Sequence, residues 1–330
     1  MPRKVRLSLA FLGTALLILL SGSQIASAAN TAGGNGLRVS PVTTNLTISP
    51  GTSQVVTIDV TNVTSSPATL QAIINDFTAN PNESGDPAII LNPTQYASSH
   101  SLKRFVQPIS NFSLAPGQEV AVPVTITIPK SAAGGGYYGV VRFAPASLST
   151  NPNQNVTLAG SVGSLILIKV PGNIKEQLSV ASFDVRKNGN PSSFFTSSKG
   201  LTATIRFQNE GNIQEAPFGK ILLRNRSGKI LSEYELNNTY PPGNVLPDSI
   251  RKFGITLTGI KSFGQYKLEG NFGYGSTGQL LSASTTFYVV PISVMVGFVL
   301  IVLLLVFLIF GLPRLIKAYN RRILRRAGRR

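Results

Sequence analysis

Gln54–Thr61 reads QVVTIDVT. In an extended chain Val56, Ile58 and Val60 fall on one face and Thr57, Asp59 and Thr61 on the other, the period-2 alternation of a half-buried strand. Similar runs lie around it: Thr69–Phe77, Glu119–Ile128 (EVAVPVTITI), Tyr137–Ala144 (YYGVVRFA) and Ser164–Val170 (SLILIKV). Turn signals separate several of them, at Ser49-Pro50-Gly51, Ser65-Ser66-Pro67 and Ala115-Pro116-Gly117. Asn80–His100 is rich in Asn, Pro and Ser and reads as a loop insertion or a short helical excursion.

Val170-Pro171-Gly172-Asn173 marks a boundary, after which strand patterns restart. They cover Gln177–Arg186, Leu201–Gln208, Lys220–Arg224, Lys229–Leu236, Arg251–Leu257, Gln265–Phe272 and Leu280–Val290, with a hairpin-type turn at Arg226–Lys229. No amphipathic helix is evident between residues 37 and 290. The expectation is an all-β ectodomain of two immunoglobulin-like β-sandwiches, residues 37–171 and 172–290, with residues 29–36 as a flexible leader.

The ends fix the topology. Val289–Leu312 carries no charge, and it exceeds the roughly 20 apolar residues that cross a bilayer as a helix. A transmembrane helix over 291–312 follows, against the alternative of a buried core helix. The tail, 313–330, holds Arg314, Lys317, Arg321, Arg322, Arg325, Arg326, Arg329 and Arg330 and no acid, which marks a cytoplasmic end and favours lipid headgroups. Its residues Leu315, Ile316, Tyr319, Ile323 and Leu324 would form the apolar face of a helix lying on the inner leaflet, and docking of a cytoplasmic partner is the other reading of the tail. At the other end Arg3, Lys4 and Arg6 precede the apolar run Leu7–Leu20 and an Ala26-Ser27-Ala28 site. Residues 1–28 therefore read as a signal peptide, the competing reading being an uncleaved anchor. The ectodomain is placed outside the cell membrane.

The formal charge of +17 is mostly topological. Without the tail and the leader, 19 basic residues face 13 acidic ones, so the sequence pI of 10.4 is no argument for nucleic acid. There is no Cys and one His, which excludes disulfides and thiolate chemistry and leaves little for a zinc site. No metal or cofactor is expected.

No catalytic constellation emerges. A Ser-His-Asp triad would have to use His100, and no nucleophile elbow is present. Glu233 and Glu235 share one strand face and read as solvated rather than as a glycosidase pair. Asn80–Asp86 is oxygen-rich without the spacing of a calcium loop, and Gly134–Gly136 reads as a β bend rather than a phosphate cradle. The Asn-x-Ser/Thr sites at Asn45, Asn62, Asn82, Asn111, Asn155, Asn225 and Asn237 read as products of a Thr/Asn-rich composition. Binding remains. Tyr137 and Tyr138 point to opposite faces of one strand, one into the core and one outward. An exposed Tyr near Arg142, or near Lys103 and Arg104, would stack on a sugar and meet a carboxylate. Arg224, Arg226, Lys229, Arg251 and Lys252 cluster around predicted turns as a basic rim, facing headgroups or a partner.

Leu37–Pro50 (LRVSPVTTNLTISP), Val55–Val63, Ser113–Gly117 (SLAPG) with the strand to Pro129, and Gly135–Phe143 (GGYYGVVRF) resemble the first domain of WxL-interacting cell-surface proteins. Phe207–Gly219, Val245–Phe253 and Tyr288–Pro291 resemble that family's downstream module. The resemblance implies a first domain that binds peptidoglycan and a second that faces another surface protein. The resulting expectation is a non-catalytic membrane-anchored protein for wall association or adhesion. The alternative is a subunit or chaperone-like partner of an envelope complex that binds by strand addition.

Overall fold

The structure is a computed structural model that describes residues 36–146 and 160–327, the side chains of 322–327 excepted. Residues 1–28, nearly all of the leader, Asn155 and the side chains of Arg322, Arg325 and Arg326 lie outside the described residues.

The first sandwich uses β1 (Leu37–Ser40), β2 (Thr43–Thr47), β3 (Ser53–Asn62), β4 (Ala68–Ala79), β5 (Pro87–Ile89), β6 (Phe112–Leu114), β7 (Glu119–Thr127), β8 (Gly135–Pro145) and β9 (Val162–Val170). One sheet runs β1-β3-β7 and the other β2-β9-β8-β4-β5, with β6 also on β4. The first strand changes sheets at Pro41: β1 pairs antiparallel with β3, and β2 pairs parallel with β9. In the quoted stretch Val56, Ile58 and Val60 are 6%, 0% and 0% exposed and face Val124, Val122 and Val120 of β7 in register. Each such side chain contributes about 1.5–3 kcal/mol when fully buried.

The second sandwich uses β10 (Leu178–Lys187), β11 (Asn190–Pro191), β12 (Phe194–Phe195), β13 (Leu201–Asn209), β14 (Phe218–Asn225), β15 (Ile230–Leu236), β16 (Ser249–Thr256), β17 (Gly264–Tyr274) and β18 (Gln279–Val289). Its sheets run β11-β10-β13-β16 and β12-β18-β17-β14-β15. Phe207, Phe272 and Phe287 are buried between them, Phe207 edge-on to Phe272 at 5.2 Å between ring centroids. The chain is thus an all-β pair of immunoglobulin-like sandwiches followed by an apolar helix. Seven strands were expected after the boundary. The structure adds β11 and β12, two residues each, too short for any periodicity to announce them.

Asn80–His100 is irregular, with β5 its one strand. Asp76, fully buried on β4, orders its far side. Its carboxylate accepts from the Ala97 amide (2.9 Å), the Ser101 hydroxyl (2.6 Å) and the Lys103 amide (2.8 Å). Asn62 is likewise fully buried, and its side-chain amide donates to Ser66, Leu114 and Ala115 carbonyls, so it offers no glycosylation site.

Strand β8 is buried on both faces. Tyr137, Val141 and Phe143 face the sandwich core, while Tyr138 and Val140 form a second cluster with Phe77 and Leu167 on the outer face. Leu246 of the second sandwich packs on that cluster. Both faces are therefore apolar, which is why YYGVVRF does not alternate.

Beyond β18 only Val290 and Pro291 precede a helix, α1 (Ile292–Val306). A π turn (Phe307–Gly311) and α2 (Leu312–Ala327) follow without an intervening loop. The helix Ile292–Arg321 contains an 18-residue stretch with a mean hydropathy of 3.3, none of it buried within the protein, and is long and apolar enough to cross a membrane. Arg314 donates to the Phe310 carbonyl at 2.8 Å. The tail helix continues the apolar one instead of starting as a separate surface helix.

Candidate binding site between the two sandwiches

Three sets of contacts join the sandwiches and shape a cleft. The first comes from Asn80–Asp86. Asn80 Oδ1 accepts from the Asn82 amide (3.1 Å), Asn82 Oδ1 from the Ser84 amide (2.8 Å), and Ser84 Oγ donates to Asp86 Oδ2 (2.7 Å). These turns hold Glu83 at φ 62° and push it onto the second sandwich. Arg206 of β13 donates to both carboxylate oxygens, Nε to Oε2 at 2.7 Å. The Glu83 carbonyl accepts from the Lys252 amide at 2.9 Å, on the free side of β16. The Arg206 hydrogen bonds hold the Glu83 carboxyl below its usual range. The weighed calcium loop therefore has its Glu committed to an ion pair, and no cluster of three metal-ligating side chains occurs among the described residues.

The second set is built on Gly134–Gly136. The Gly136 amide donates to the Asn212 carbonyl (2.8 Å), and Asn212 Nδ2 donates to the carbonyls of Gly134 (3.1 Å) and Asn173 (2.8 Å). A Cβ on Gly135, at φ 149°, would stand 2.9 Å from the Asn212 carbonyl oxygen, so the glycine is required by backbone-to-backbone approach. Tyr138 donates to Gln214 at 2.9 Å. His100 Nδ1 donates to the Gly136 carbonyl at 2.6 Å, and its ring lies 5.8 Å from that of Tyr138. The single histidine is a structural bracket here.

The third set is ionic. Lys169 of β9 pairs with Glu176 at 3.7 Å, and Glu176 accepts from the amide and hydroxyl of Ser276, both at 2.8 Å. Beside it Glu215, 4% exposed, accepts from the Gly275 amide at 3.0 Å. Burial pushes its carboxyl up to about 7, with the Glu176 charge adding to the effect.

Between these contacts lies a cleft of about 230 Å³. Thr43, Asn45 and Leu167 line it from the first sandwich, and Pro242, Leu246 and Arg251 from the second. Arg251 donates from Nη1 to the Asn244 carbonyl at 2.9 Å and lies over the Phe253 ring at 5.1 Å. Its Nε is buried without a partner, and among the described ion pairs it has none. Desolvation lowers its pKa, although the group stays cationic. The arrangement offers a desolvated guanidinium to an incoming carboxylate.

The sequence-predicted residues are distributed differently from expectation. Tyr138 is 2% exposed, and Tyr137 is half-buried with its ring 5.0 Å from Phe105 and its hydroxyl on the Ala133 carbonyl. Neither ring is exposed, because Tyr137 faces the sandwich core and the outer face that carries Tyr138 is covered by Phe77, Leu167 and Leu246. Arg142 shares the outward face of Tyr138 and donates to Ser161 at 3.2 Å. Lys103 and Arg104 instead meet Tyr96, at 4.7 and 4.8 Å from its ring centre. Tyr96, 45% exposed, had no periodic signal in its irregular segment. The basic rim also divides. Arg226 and Lys229 are exposed at the far end, Arg224 pairs with Glu269, and Arg251 turns into the cleft while Lys252 stays outside. Arg314, Lys317 and Arg321 are exposed on the helix after the apolar segment.

No protein-family model matches the chain, and no curated protein matches it. Solved structures do. The class 5 fimbriae chaperone CfaA is 12% identical over 78% of this chain and 100% of its own, with a TM-score of 0.38. The E. coli chaperone DraB is 14% identical over 77% and 96%, with a TM-score of 0.33. The CsuC-CsuE chaperone–tip adhesion subunit pre-assembly complex of Acinetobacter baumannii yields a match 12% identical over 66% and 90%, also at 0.33.

Proposed function

We propose that this chain is a non-catalytic, membrane-anchored surface protein that holds an acidic side chain or chain end of a protein partner in the cleft between its two sandwiches. The carrying observation is Arg251: a desolvated cation with an unpartnered Nε, in a cleft lined by both domains. A carboxylate in the cleft would pair with the Arg251 guanidinium, which has no partner among the described ion pairs, through charge-assisted hydrogen bonds. The cleft is smaller than the roughly 300–1,000 Å³ of small-molecule sites, which suits one side chain better than a glycan. The positive tail supports an orientation with the sandwiches outside.

Strand addition has less support at two sheet edges. Gln107 donates to Thr125 on the outer side of β7, and Glu83 occupies the outer side of β16.

Peptidoglycan association is the second reading, favoured by the WxL-interacting resemblance and by the exposed Tyr96 with Lys103 and Arg104. Those cations already lie over the ring, which reduces the aromatic surface left for a sugar.

The test is retention of the detergent-solubilised full chain on purified peptidoglycan, run beside crosslinking to membrane and envelope proteins of the same cells. The proposal expects a defined protein adduct that disappears in Arg251→Gln. Salt-resistant retention on peptidoglycan without any such adduct would replace it with the wall reading.

A further inference from the structure

The second sandwich has two ends. Residues 211–215, 240–248 and 275–278 lie at the end that meets the first sandwich. The opposite end gathers the turn 226–229, the loops 196–200 and 257–263, and the last residues of β18, as the register shows. Asn225 pairs with Tyr266, Gly264 with Val289, and Thr202 with Thr256. Two residues after β18 the apolar helix begins, and the Val290 amide is still bonded to the Phe195 carbonyl at 2.8 Å. This end therefore lies next to whatever surface the helix enters.

Its chemistry is one-sided. Lys199, Arg226, Lys229 and Lys261 are exposed there, and residues 196–200, 226–229 and 257–263 contain no Asp or Glu. Phe263 is 61% exposed and Phe194 is 65% exposed, the latter stacked on Tyr288 at 4.9 Å. Arg226, Lys229, Lys261 and Phe263 line one open groove of about 930 Å³ whose wall ends at Val290. The groove is held in shape: the Lys261 amide donates to the Tyr266 hydroxyl at 3.0 Å, and that hydroxyl donates back to the Lys261 carbonyl at 3.2 Å. Glu269, the acid near Arg226, is already paired with Arg224 and Lys267, so a surplus of cations remains beside exposed aromatic rings, which matches a bilayer interface, where phosphates meet the first acyl carbons.

We propose that this end of the second sandwich binds the phosphate groups of anionic phospholipids in the leaflet that the helix enters, with Arg226, Lys229 and Lys261 on phosphate and Phe263 inserted at the acyl boundary. The proposal rests on the reading of residues 291–312 as a membrane span. It gives the sandwich a second attachment to the bilayer, close to the helix, which limits how far the cleft can tilt.

The chain has no Trp, so Phe263→Trp in the full chain is a unique fluorophore, and Phe307→Trp in a separate full chain reports on the helix. Both are reconstituted in phosphatidylcholine vesicles, with or without phosphatidylglycerol, containing lipid quenchers near the headgroup or deep in the chains. The expected result is headgroup-region quenching of the Phe263→Trp indole in anionic vesicles. It should fall by about twofold or more in R226Q/K229Q/K261Q, in phosphatidylcholine alone and at high salt, because each surface cation contributes and the Debye length shortens. Absent quenching at 263 with deep quenching at 307 would overturn headgroup contact while leaving the span intact. Quenching at 263 that ignores lipid charge and the triple variant would overturn phosphate binding. No quenching at 307 would overturn the span, and this proposal with it.

Discussion

Arg206 and Glu83, 123 residues apart in the chain, meet as a two-pronged ion pair that ties the loop after β4 to the middle of β13. The pair fixes how the two sandwiches face one another and so fixes the width of the cleft beside Arg251.

Glu83→Gln should cost about 1–2 kcal/mol, the range for a hydrogen-bonded, partly exposed charge pair. The sign with pH follows from the cause. The native carboxyl is held below its ordinary value of 4.5, so its contribution is present above 4.5 and is lost as pH falls through the native value. Urea titrations of the parent and Glu83→Gln chains should therefore converge in acid. A difference that persists undiminished at the lowest pH would contradict the assignment.

Asp76→Ala leaves the Ala97 and Lys103 amides and the Ser101 hydroxyl without their acceptor. The expected loss is roughly 3 kcal/mol, with new protease cleavage between residues 90 and 105. Wild-type resistance to protease in that segment would show that something else orders it.

Glu215 makes the opposite pH prediction. Its native carboxyl is raised from 4.5 to about 7 by burial, so between these values the native state keeps a proton that the unfolded state has released. Stability should fall as pH rises through that window, by up to about 3 kcal/mol at about 1.4 kcal/mol per unit. Glu215→Gln should flatten the slope. An unchanged slope in the variant would place the titration elsewhere.

Many of the strand positions were legible in the sequence, because residues such as Val56, Ile58 and Val60 alternate and sheets with one wet face must alternate; the order of the strands within each sheet was not. The exposed aromatic patch was not. Tyr137 and Tyr138 do point to opposite faces, yet β8 is covered on both, and the cover on the outer face includes Leu246, more than 100 residues later. The role of Asn80–Asp86 was hidden for the same reason, since nothing local in NPNESGD points to Arg206. Arg251 was more accessible to reasoning. Strand alternation sends Arg251 and Lys252 to opposite sides, so the two could not both belong to one rim. Which of them faces the cleft required the fold.

Arg251 also has a stability signature. Arg251→Gln removes a buried charge whose Nε has no partner, so the unliganded protein should unfold within about 1 kcal/mol of the parent or become slightly more stable. A loss well beyond that, by urea titration, would mean that Arg251 is there for architecture rather than for a ligand.

The most direct test of the binding site is a photocrosslinking residue placed at Pro242, on the cleft wall, in the full chain in its own cells. A discrete protein adduct that is lost in Arg251→Gln and kept in Lys252→Gln is the predicted result. No adduct at Pro242, or one indifferent to Arg251→Gln, would contradict the cleft as the place where this protein meets its partner.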